Sequence, residues 1–335
     1  MIRNVLICAF VAVMLMLSLA SCASPTDKAG ASTVISDVTT VQRTTVVHTT
    51  TPISGDNPEI GLPDFSGCDI YAVGSPLSGE NIIGYARRFI DAINSHESFF
   101  AVDDISVRDT LCDNIFFCYP PSALCDFSAA DGGISIEYLY PKEVHNEKIT
   151  AFFRRVREII DSTTDDSMSP TRKAMELYRW VSVNINYFSV DYTERQTSSF
   201  NAILEGQTIC YGFADTYNCL LRQVGISADL IFGERSDGAE HGWSLITLEG
   251  SSFHCDPTWE RSGASKGQGL FYFGLTDSAR LSSTTENARI GSGSSAEIYQ
   301  WNLCTDSMFG ATRRVTGWTW DNIQSIIERN KQRKQ

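Results

Sequence analysis

Three residues in the second half of the chain have the types and the order that thiol-acyl chemistry needs. Cys210 can attack an acyl carbon as a thiolate, and His241 can take up and return the proton. Asp256 can orient the imidazole and stabilise its cation. These residues lie, in this order, in the fragments EGQTICYGFADTYNCLLRQVGI, EHGWSLITL and FHCDPTWE. The sequence therefore predicts a cysteine nucleophile served by a histidine base and an aspartate.

A helix is predicted to begin at Cys210. Gly206 is typical of the end of a short preceding helix, and Gly225 marks the end of the new one. Between them, apolar side chains recur every three or four residues, at Phe213, Ala214, Tyr217, Leu220, Leu221 and Val224. The unpaired N–H groups and the positive end of the helix dipole then favour the thiolate of Cys210 over the thiol.

The base and the acid are predicted to lie on a β-hairpin. An apolar run follows His241, Glu249-Gly250 begins a turn, and residues 252–256 form the returning strand. Residues opposite one another in an antiparallel pair project to the same face, as do residues two apart along a strand. A two-residue turn therefore puts Asp256 opposite Trp243, on the same face as His241.

Other turn lengths change this geometry. A four-residue turn keeps Asp256 and His241 on one face, whereas a three-residue turn reverses the relation. A shifted register would make His254 the base, because it shares a strand face with Asp256.

The three fragments resemble the transglutaminase-like superfamily, whose fold is related to that of papain-type cysteine peptidases. The resemblance runs from about Met175 to Glu260. The motifs are Cys210-Tyr211-Gly212-Phe213-Ala214, His241-Gly242-Trp243-Ser244 and Asp256-Pro257-Thr258-Trp259. The resemblance implies that Cys210, His241 and Asp256 are nucleophile, base and orienting acid. It implies an α+β fold, in which a cysteine at a helix N-terminus packs on an antiparallel sheet carrying the histidine and the aspartate.

Four residues depart from the family pattern: Thr208 replaces a usual glycine, Phe213 a tyrosine, Gly242 an alanine and Ser244 an asparagine. None of these changes removes a catalytic group. Thr208 and Ser244 could alter the mouth of the cleft.

The predicted activity is attack on a peptide or carboxamide bond through an acyl-thioester. Water as the second substrate makes a peptidase or amidase, and an amine makes a transglutaminase. This chemistry requires no metal or organic cofactor. The Cys210 N–H is the natural first oxyanion donor, and Gln207 is either a second donor or a solvent-facing loop residue. The alternative function is a non-catalytic binding or scaffold protein with the same fold.

The N-terminus has the pattern of an export signal in residues 1–21. Arg3 precedes an apolar run from Val5 to Ala20, and Leu19-Ala20-Ser21-Cys22 resembles a bacterial lipobox. In such a signal the cysteine is lipidated, so Cys22 is predicted to anchor the protein to the cell membrane on its extracytoplasmic side. The alternatives are an ordinary cleaved signal and an uncleaved anchor.

Residues 22–63 are predicted to form a disordered tether, because Ser, Thr, Pro and Asp dominate. An edge strand through the alternating valines is the minor alternative. The net charge of the chain is -13, and removing Arg3 with the signal gives -14. This charge argues against nucleic acid as a partner. The expected partners are the membrane and a protein or peptide substrate, for which the cell envelope is the candidate source.

The remainder is predicted to divide into an N-terminal α+β scaffold, residues 64–165, and a transglutaminase-like catalytic domain with a C-terminal extension, residues 166–335. Apolar periodicity predicts four helices and two strands in these regions. The helices are at 82–93, 149–160, 170–185 and 318–327, and the strands are at 134–140 and 270–273. The second strand, LFYF, would extend the sheet that carries His241 and Asp256.

Of the ten cysteines, seven remain after Cys8, Cys22 and Cys210 are assigned to the signal, the anchor and catalysis. They are Cys68, Cys112, Cys118, Cys125, Cys219, Cys255 and Cys304. Export would allow some of them to form disulfides. Cys112, Cys118 and Cys125 have a spacing that superficially suits a metal. The region has neither a Cys-x-x-Cys pair nor a nearby histidine, so no metal site is predicted. Cys219 and Cys255 are expected in the core.

Overall fold

The computed structural model describes residues 80–188, 197–264, 268–282, 284, 286–291, 296–306, 308, 315–316 and 319–333. The predictions of a signal peptide, a lipidated Cys22 and a tether concern residues 1–63 and lie outside the described residues, as does Cys68. Among the residues that are described, no helix combines the length and the apolar character needed to cross a membrane.

The described helices, in chain order, are α1 (Glu80–Ser95), α2 (Ile105–Cys118), α3 (Lys142–Thr163), α4 (Pro170–Asn184), α5 (Ser199–Glu205), α6 (Cys210–Gln223), α7 (Pro257–Ala264), α8 (Asp277–Leu281) and α9 (Trp320–Arg333). The strands are β1 (Phe99–Ala101), β2 (Cys125–Ala130), β3 (Gly133–Tyr138), β4 (Asn186–Tyr187), β5 (Gln207–Thr208), β6 (Ala228–Glu234), β7 (Glu240–Leu248), β8 (Ser251–Cys255), β9 (Gln268–Gly269), β10 (Arg289–Ile290), β11 (Glu297–Ile298) and β12 (Val315–Thr316).

A five-stranded antiparallel sheet in the order β11-β10-β6-β7-β8 forms the centre of the second half of the chain. Helix α6 packs against β6 and β7. Its buried residues Phe213, Tyr217 and Leu220 share one core with Ile246 and Phe253 of the sheet. This mixture of helices and an antiparallel sheet confirms the predicted α+β class.

The hairpin β7-β8 closes through the two-residue turn Glu249-Gly250. Both residues have positive φ, 51° and 82°, which suits the tight turns that match the twist of paired strands. Leu248 pairs with Ser251, and Ser244 pairs with Cys255. Continuing this register puts Asp256 opposite Trp243, as the two-residue turn predicts.

Helix α6 begins at Cys210, as predicted. Gly206 ends α5 in the left-handed conformation, with φ 70°, and the short strand β5 then leads into the new helix. The N–H of Phe213 donates to the carbonyl of Ile209, which makes Ile209 the residue that caps α6. The nucleophile candidate is therefore the first residue of α6.

The N-terminal region and the central sheet share one hydrophobic core. Phe152 of α3 stacks on Phe200 of α5, with ring centroids 5.2 Å apart. The buried Arg222 of α6 donates to the carbonyl of Phe117 in α2 at 2.9 Å. The boundary between residues 165 and 166 stays a prediction, although packing is continuous across it.

The predicted helices at 82–93, 149–160 and 170–185 are confirmed by α1, α3 and α4, and the strand at 134–140 by β3. Ser169 caps α4 by accepting the N–H of Arg172 at 3.2 Å. The terminal helix is confirmed from Trp320 onward, since Trp318 lies outside the described residues.

The predicted strand at 270–273 is wrong. Leu270 has a positive φ of 67°, which an extended strand does not permit, and the following residues bend. The sheet instead gains β10, Arg289–Ile290, which pairs with β6. Leu270 and Phe273 are nevertheless buried, so their hydrophobic signal reflects burial without strand pairing.

Two glycines provide a paired test of the packing at the start of α6. A Cβ atom at Gly212 would overlap Thr208 Oγ1 and the carbonyl oxygen of Thr197, whereas nothing lies within 4 Å of one at Gly84 in α1. We expect Gly212→Ala to lower the free energy of unfolding by about 3 kcal/mol. Gly84→Ala should raise it by about 0.5–1 kcal/mol, because alanine is the better helix former. Urea denaturation measures both, and equal effects would contradict the packing described.

Candidate active site

The structure brings Cys210, His241 and Asp256 together. His241 is the second residue of β7, and Asp256 follows the last residue of β8. His241 Nε2 donates to Asp256 Oδ2 at 2.6 Å. The thiol of Cys210 is hydrogen-bonded to His241, for which Nδ1 is the remaining ring nitrogen. All three residues are buried, with exposed fractions of 6%, 3% and 1%.

His241 is arranged to hold a proton. Burial alone disfavours its cation, but the charge of Asp256, the hydrogen bond that His241 donates to Asp256 and the contact with Cys210 outweigh this effect. They raise the pKa of His241 to about 9. At neutral pH the imidazole is therefore protonated on both ring nitrogens, as the imidazolium cation, and it lies beside the sulfur of Cys210.

Asp256 is kept as an anion in spite of its burial. Burial alone would raise the pKa of this carboxyl, but the charges of His241 and Arg280 lower it below its usual value. Arg280 Nη1 donates to Oδ2 at 3.0 Å, and the N–H of Trp259 donates to Oδ1 at 3.1 Å. Both carboxylate oxygens are therefore fixed by donors.

The backbone of Asp256 is fixed as well. Its N–H donates to the carbonyl of Tyr272 at 2.8 Å, and its carbonyl accepts the hydroxyl of Tyr178 at 2.9 Å. Glu260, one turn into α7, accepts the same Tyr178 hydroxyl at 3.1 Å and the N–H of Tyr272 at 2.9 Å. The bent segment that was predicted as a strand thus supports the acid through its backbone.

Two indole rings surround the His–Asp pair. Trp259 lies on His241 in a stacked arrangement, with ring centroids 4.7 Å apart. The guanidinium of Arg280 lies 4.4 Å from the Trp259 ring centroid and 4.1 Å from that of Trp243. Arg280 is fully buried, so the two rings form the walls of its site.

The sequence did not single out Arg280, Tyr178 or Glu260. Arg280 lies in a five-residue helix with no apolar periodicity, and Tyr178 is one of several buried residues on α4. Glu260 follows the Asp-Pro-Thr-Trp motif directly, and this proximity was the only available signal. Their roles depend on long-range contacts that no local pattern encodes.

His254 is not brought to Cys210. Its Nδ1 accepts the indole N–H of Trp243 at 3.0 Å, and its Nε2 donates to Asp277 Oδ1 at 2.9 Å. The register that would have made His254 the base is not the one that forms. His241 occupies that position in the structure.

His254, Asp277 and Cys304 form a buried group whose potential ligand atoms lie within 4.8 Å of one another. A metal on His254 Nε2 would require Nδ1 to carry the proton, as in metal-bound imidazoles generally. Nδ1 instead accepts the Trp243 N–H, so the proton is on Nε2 and points at Asp277. The group fits a hydrogen-bonded network better than a metal site, and the backbone N–H of Cys304 adds a donor to Asp277.

Three of the four departures from the family pattern have local explanations. Thr208 and Ser244 are fully buried, so the expectation that they shape the cleft mouth is wrong. Thr208 donates to the carbonyl of Thr197, and Ser244 donates to that of Ala214 on α6. At Gly242, a Cβ atom would overlap the ring of Tyr211, which covers this position.

Gln207 lies exposed on β5, three residues before Cys210. Its backbone carbonyl accepts the side-chain amide of Asn201 at 2.9 Å. The position is compatible with either role that the sequence left open. Cys112, Cys210, Cys255 and Cys304 do not take part in disulfides.

Residues 157–257 match the family model of the transglutaminase-like superfamily. This stretch contains Cys210, His241 and Asp256, and the match confirms the resemblance indicated by their motifs. A comparison with curated proteins gave no match.

Several solved structures are similar to the chain over part of its length. A protein from Cytophaga hutchinsonii, provisionally assigned as a cysteine protease, is 26% identical over 26% of this chain and 30% of its own, with a TM-score of 0.24. A structure described as a TGase is 16% identical over 48% of this chain and 49% of its own, with a TM-score of 0.30. Legionella pneumophila LapG is 14% identical over 49% of this chain and 84% of its own, with a TM-score of 0.31. The chain thus spans less than half the length of the first two.

The buried carboxyl of Glu260 predicts a pH dependence of stability. Burial raises its pKa from 4.5 to about 7, so the folded state binds this proton more tightly than the unfolded chain. Its contribution is therefore fully present below about pH 4.5 and is lost as the pH rises toward 7, by at most about 3 kcal/mol.

Glu260→Gln should remove this contribution and flatten the dependence of unfolding free energy on pH between these limits. Asp215→Asn should act in the same sense, because burial also raises the pKa of Asp215 to about 7. Urea unfolding at a series of pH values measures the slope. Parallel curves for wild type and Glu260→Gln would show that folding does not raise the pKa of Glu260.

Proposed function

From the transglutaminase-like domain in this chain, we infer that the protein is a thiol enzyme that acts on peptide or carboxamide bonds. One observation carries the proposal: His241 lies between the thiol of Cys210 and Asp256 Oδ2, with the latter contact at 2.6 Å. A nucleophile, a proton carrier and an orienting anion in this order are the elements of acyl transfer.

The first half of the reaction forms the thioester. Cys210 Sγ attacks the carbonyl carbon, and the oxygen takes the negative charge near the first N–H groups of α6. As the C–N bond breaks, the proton on His241 passes to the leaving nitrogen. The leaving product is then an amine, or ammonia if a primary carboxamide was attacked, and Cys210 carries the acyl group.

The second half returns the enzyme to its starting state. Neutral His241 takes a proton from the incoming nucleophile, which attacks the thioester carbon, and the C–S bond breaks with sulfur leaving as the thiolate. Water gives a carboxylic acid, and a primary amine gives a new amide. Asp256 keeps its charge and holds the imidazole in place through both halves.

We further propose that the enzyme is a lipid-anchored protein on the extracytoplasmic side of the cell membrane. The pattern of residues 1–22, with Cys22 after Leu19-Ala20-Ser21, supports this proposal. The tether composition of residues 22–63 supports a domain held away from the membrane, and proteins or peptides of the cell envelope would then be within its reach.

Thiol labelling provides the first test, with a control inside the same molecule. Cys112 is more exposed than Cys210, but burial and the charges of Asp113 and Asp109 raise its pKa to about 11. We expect iodoacetamide to modify Cys210 at least tenfold faster than Cys112 at pH 7, because Cys210 lies at a helix N-terminus beside protonated His241, whereas Cys112 lies beside two aspartates. Peptide mass spectrometry measures both rates.

The same labelling in His241→Ala should lose the preference for Cys210. Cys210→Ala should abolish turnover, whereas Cys219→Ala, on the same helix, should retain it. A Cys210 rate that is slow and indifferent to His241 would sink the enzyme proposal and favour a binding protein of the same fold.

A partition experiment decides between hydrolysis and acyl transfer. A glutamine-containing peptide library is incubated with a fluorescent primary amine in water enriched in heavy oxygen. Because both nucleophiles attack one thioester, a hydrolase incorporates heavy oxygen and little amine even when the amine is abundant, and a transglutaminase does the reverse. Mass spectrometry reads both products, and neither product should form with Cys210→Ala.

A further inference from the structure

Asp256 Oδ2 accepts two charged donors. His241 Nε2 lies at 2.6 Å and Arg280 Nη1 at 3.0 Å from this one oxygen. The other oxygen, Oδ1, accepts the N–H of Trp259. The position of the carboxylate, and the charge that it presents to His241, thus depend on Arg280.

Arg280 is held by a rigid site. Its guanidinium lies between the Trp243 and Trp259 rings, at 4.1 and 4.4 Å from their centroids, and no part of the side chain is exposed. A planar guanidinium can fill such a slot and still donate in its plane, whereas an ammonium cannot. Trp259 also stacks on His241, so its ring contacts both of the charged side chains that donate to Asp256.

Trp243 is fixed from behind by a second polar pair. Its indole N–H donates to His254, which in turn donates to Asp277. Asp277 is the first residue of α8, the helix that carries Arg280. On the other side, a Cβ atom at Gly233 of β6 would overlap the Trp243 ring, so only glycine leaves the indole this position.

We propose that Arg280 is a positioning residue of the thiol site. It orients Asp256, and its cation offsets part of the Asp256 charge that would otherwise act on His241. The proposal rests on the proposed function, because its effect is exerted on the proton that His241 transfers. Arg280 itself does not touch the reacting atoms. Its effect passes through a single oxygen atom of Asp256.

The charged and titratable groups around His241 and Asp256 determine how the removal of Arg280 should change the pKa of His241. His241 faces Asp256 and Cys210, and Asp256 faces His241 and Arg280, with Glu260, Tyr178 and Tyr272 nearby. Without the cation of Arg280, the full charge of Asp256 acts on His241. The pKa of His241 then rises above its present value of about 9, and His241 releases its proton less readily.

The test is the titration of His241 in the full-length protein, read from deuterium exchange at the imidazole C2 position by peptide mass spectrometry. In Arg280→Gln, we expect the His241 midpoint to move to higher pH and kcat to fall about tenfold, with KM unchanged. Arg280→Lys should give an intermediate midpoint, because it keeps the charge and loses the planar fork. His145 in α3, whose pKa is lowered by burial, is the internal reference, and its midpoint should not move.

An unchanged His241 midpoint in a folded Arg280→Gln protein overturns the proposal. If that variant does not fold, as a thermal melt would show, an unchanged midpoint in Arg280→Lys overturns it instead. Failure of the proposed function looks different, because wild-type protein would then lack turnover while the His241 midpoint still responded to Arg280.

Discussion

The buried negative charge of Asp256 is the constraint on which the surrounding structure depends. A carboxylate that is 1% exposed loses its hydration, and in a protein interior this loss amounts to several kcal/mol unless donors replace the water. His241, Arg280 and the N–H of Trp259 supply those donors. The charge is therefore tolerated because three separate elements, β7, α8 and α7, converge on it.

Each compensation imposes a further requirement on its neighbours. Arg280 needs two aromatic walls, Trp243 needs the partner His254 and the space left by Gly233, and His254 needs Asp277. The polar layer behind the site is thus an extended set of hydrogen bonds in a dry interior, where unpaired members are costly. A few residues away, Glu260 faces the same low dielectric without a cation, and its pKa rises while that of Asp256 falls.

The parts of this site that follow from the sequence are those set by local chemistry. Gly206 ends one helix and Glu249-Gly250 begins a turn, and both predictions follow from the conformational freedom of glycine at positive φ. The length of that turn stayed open in the sequence, and the structure shows the two-residue form. Arg280 could not be predicted, because its partner Asp256 is 24 residues away and no periodicity links them. The strand prediction at 270–273 was wrong because an apolar run indicates burial, and burial does not require hydrogen-bond pairing with a neighbouring strand.

Because the hydrophobic core is continuous, the site cannot be separated from the N-terminal helices as an independent fragment. The side chain of Arg222, at the far end of the helix that starts with Cys210, is tied to the backbone of Phe117, and Phe152 stacks on Phe200 just before that helix. Excising residues 157–257 alone would therefore strip one face of the nucleophile's helix of its packing. A transplantable or minimal version of this site therefore has to include α2 and α3 as well as the matched stretch.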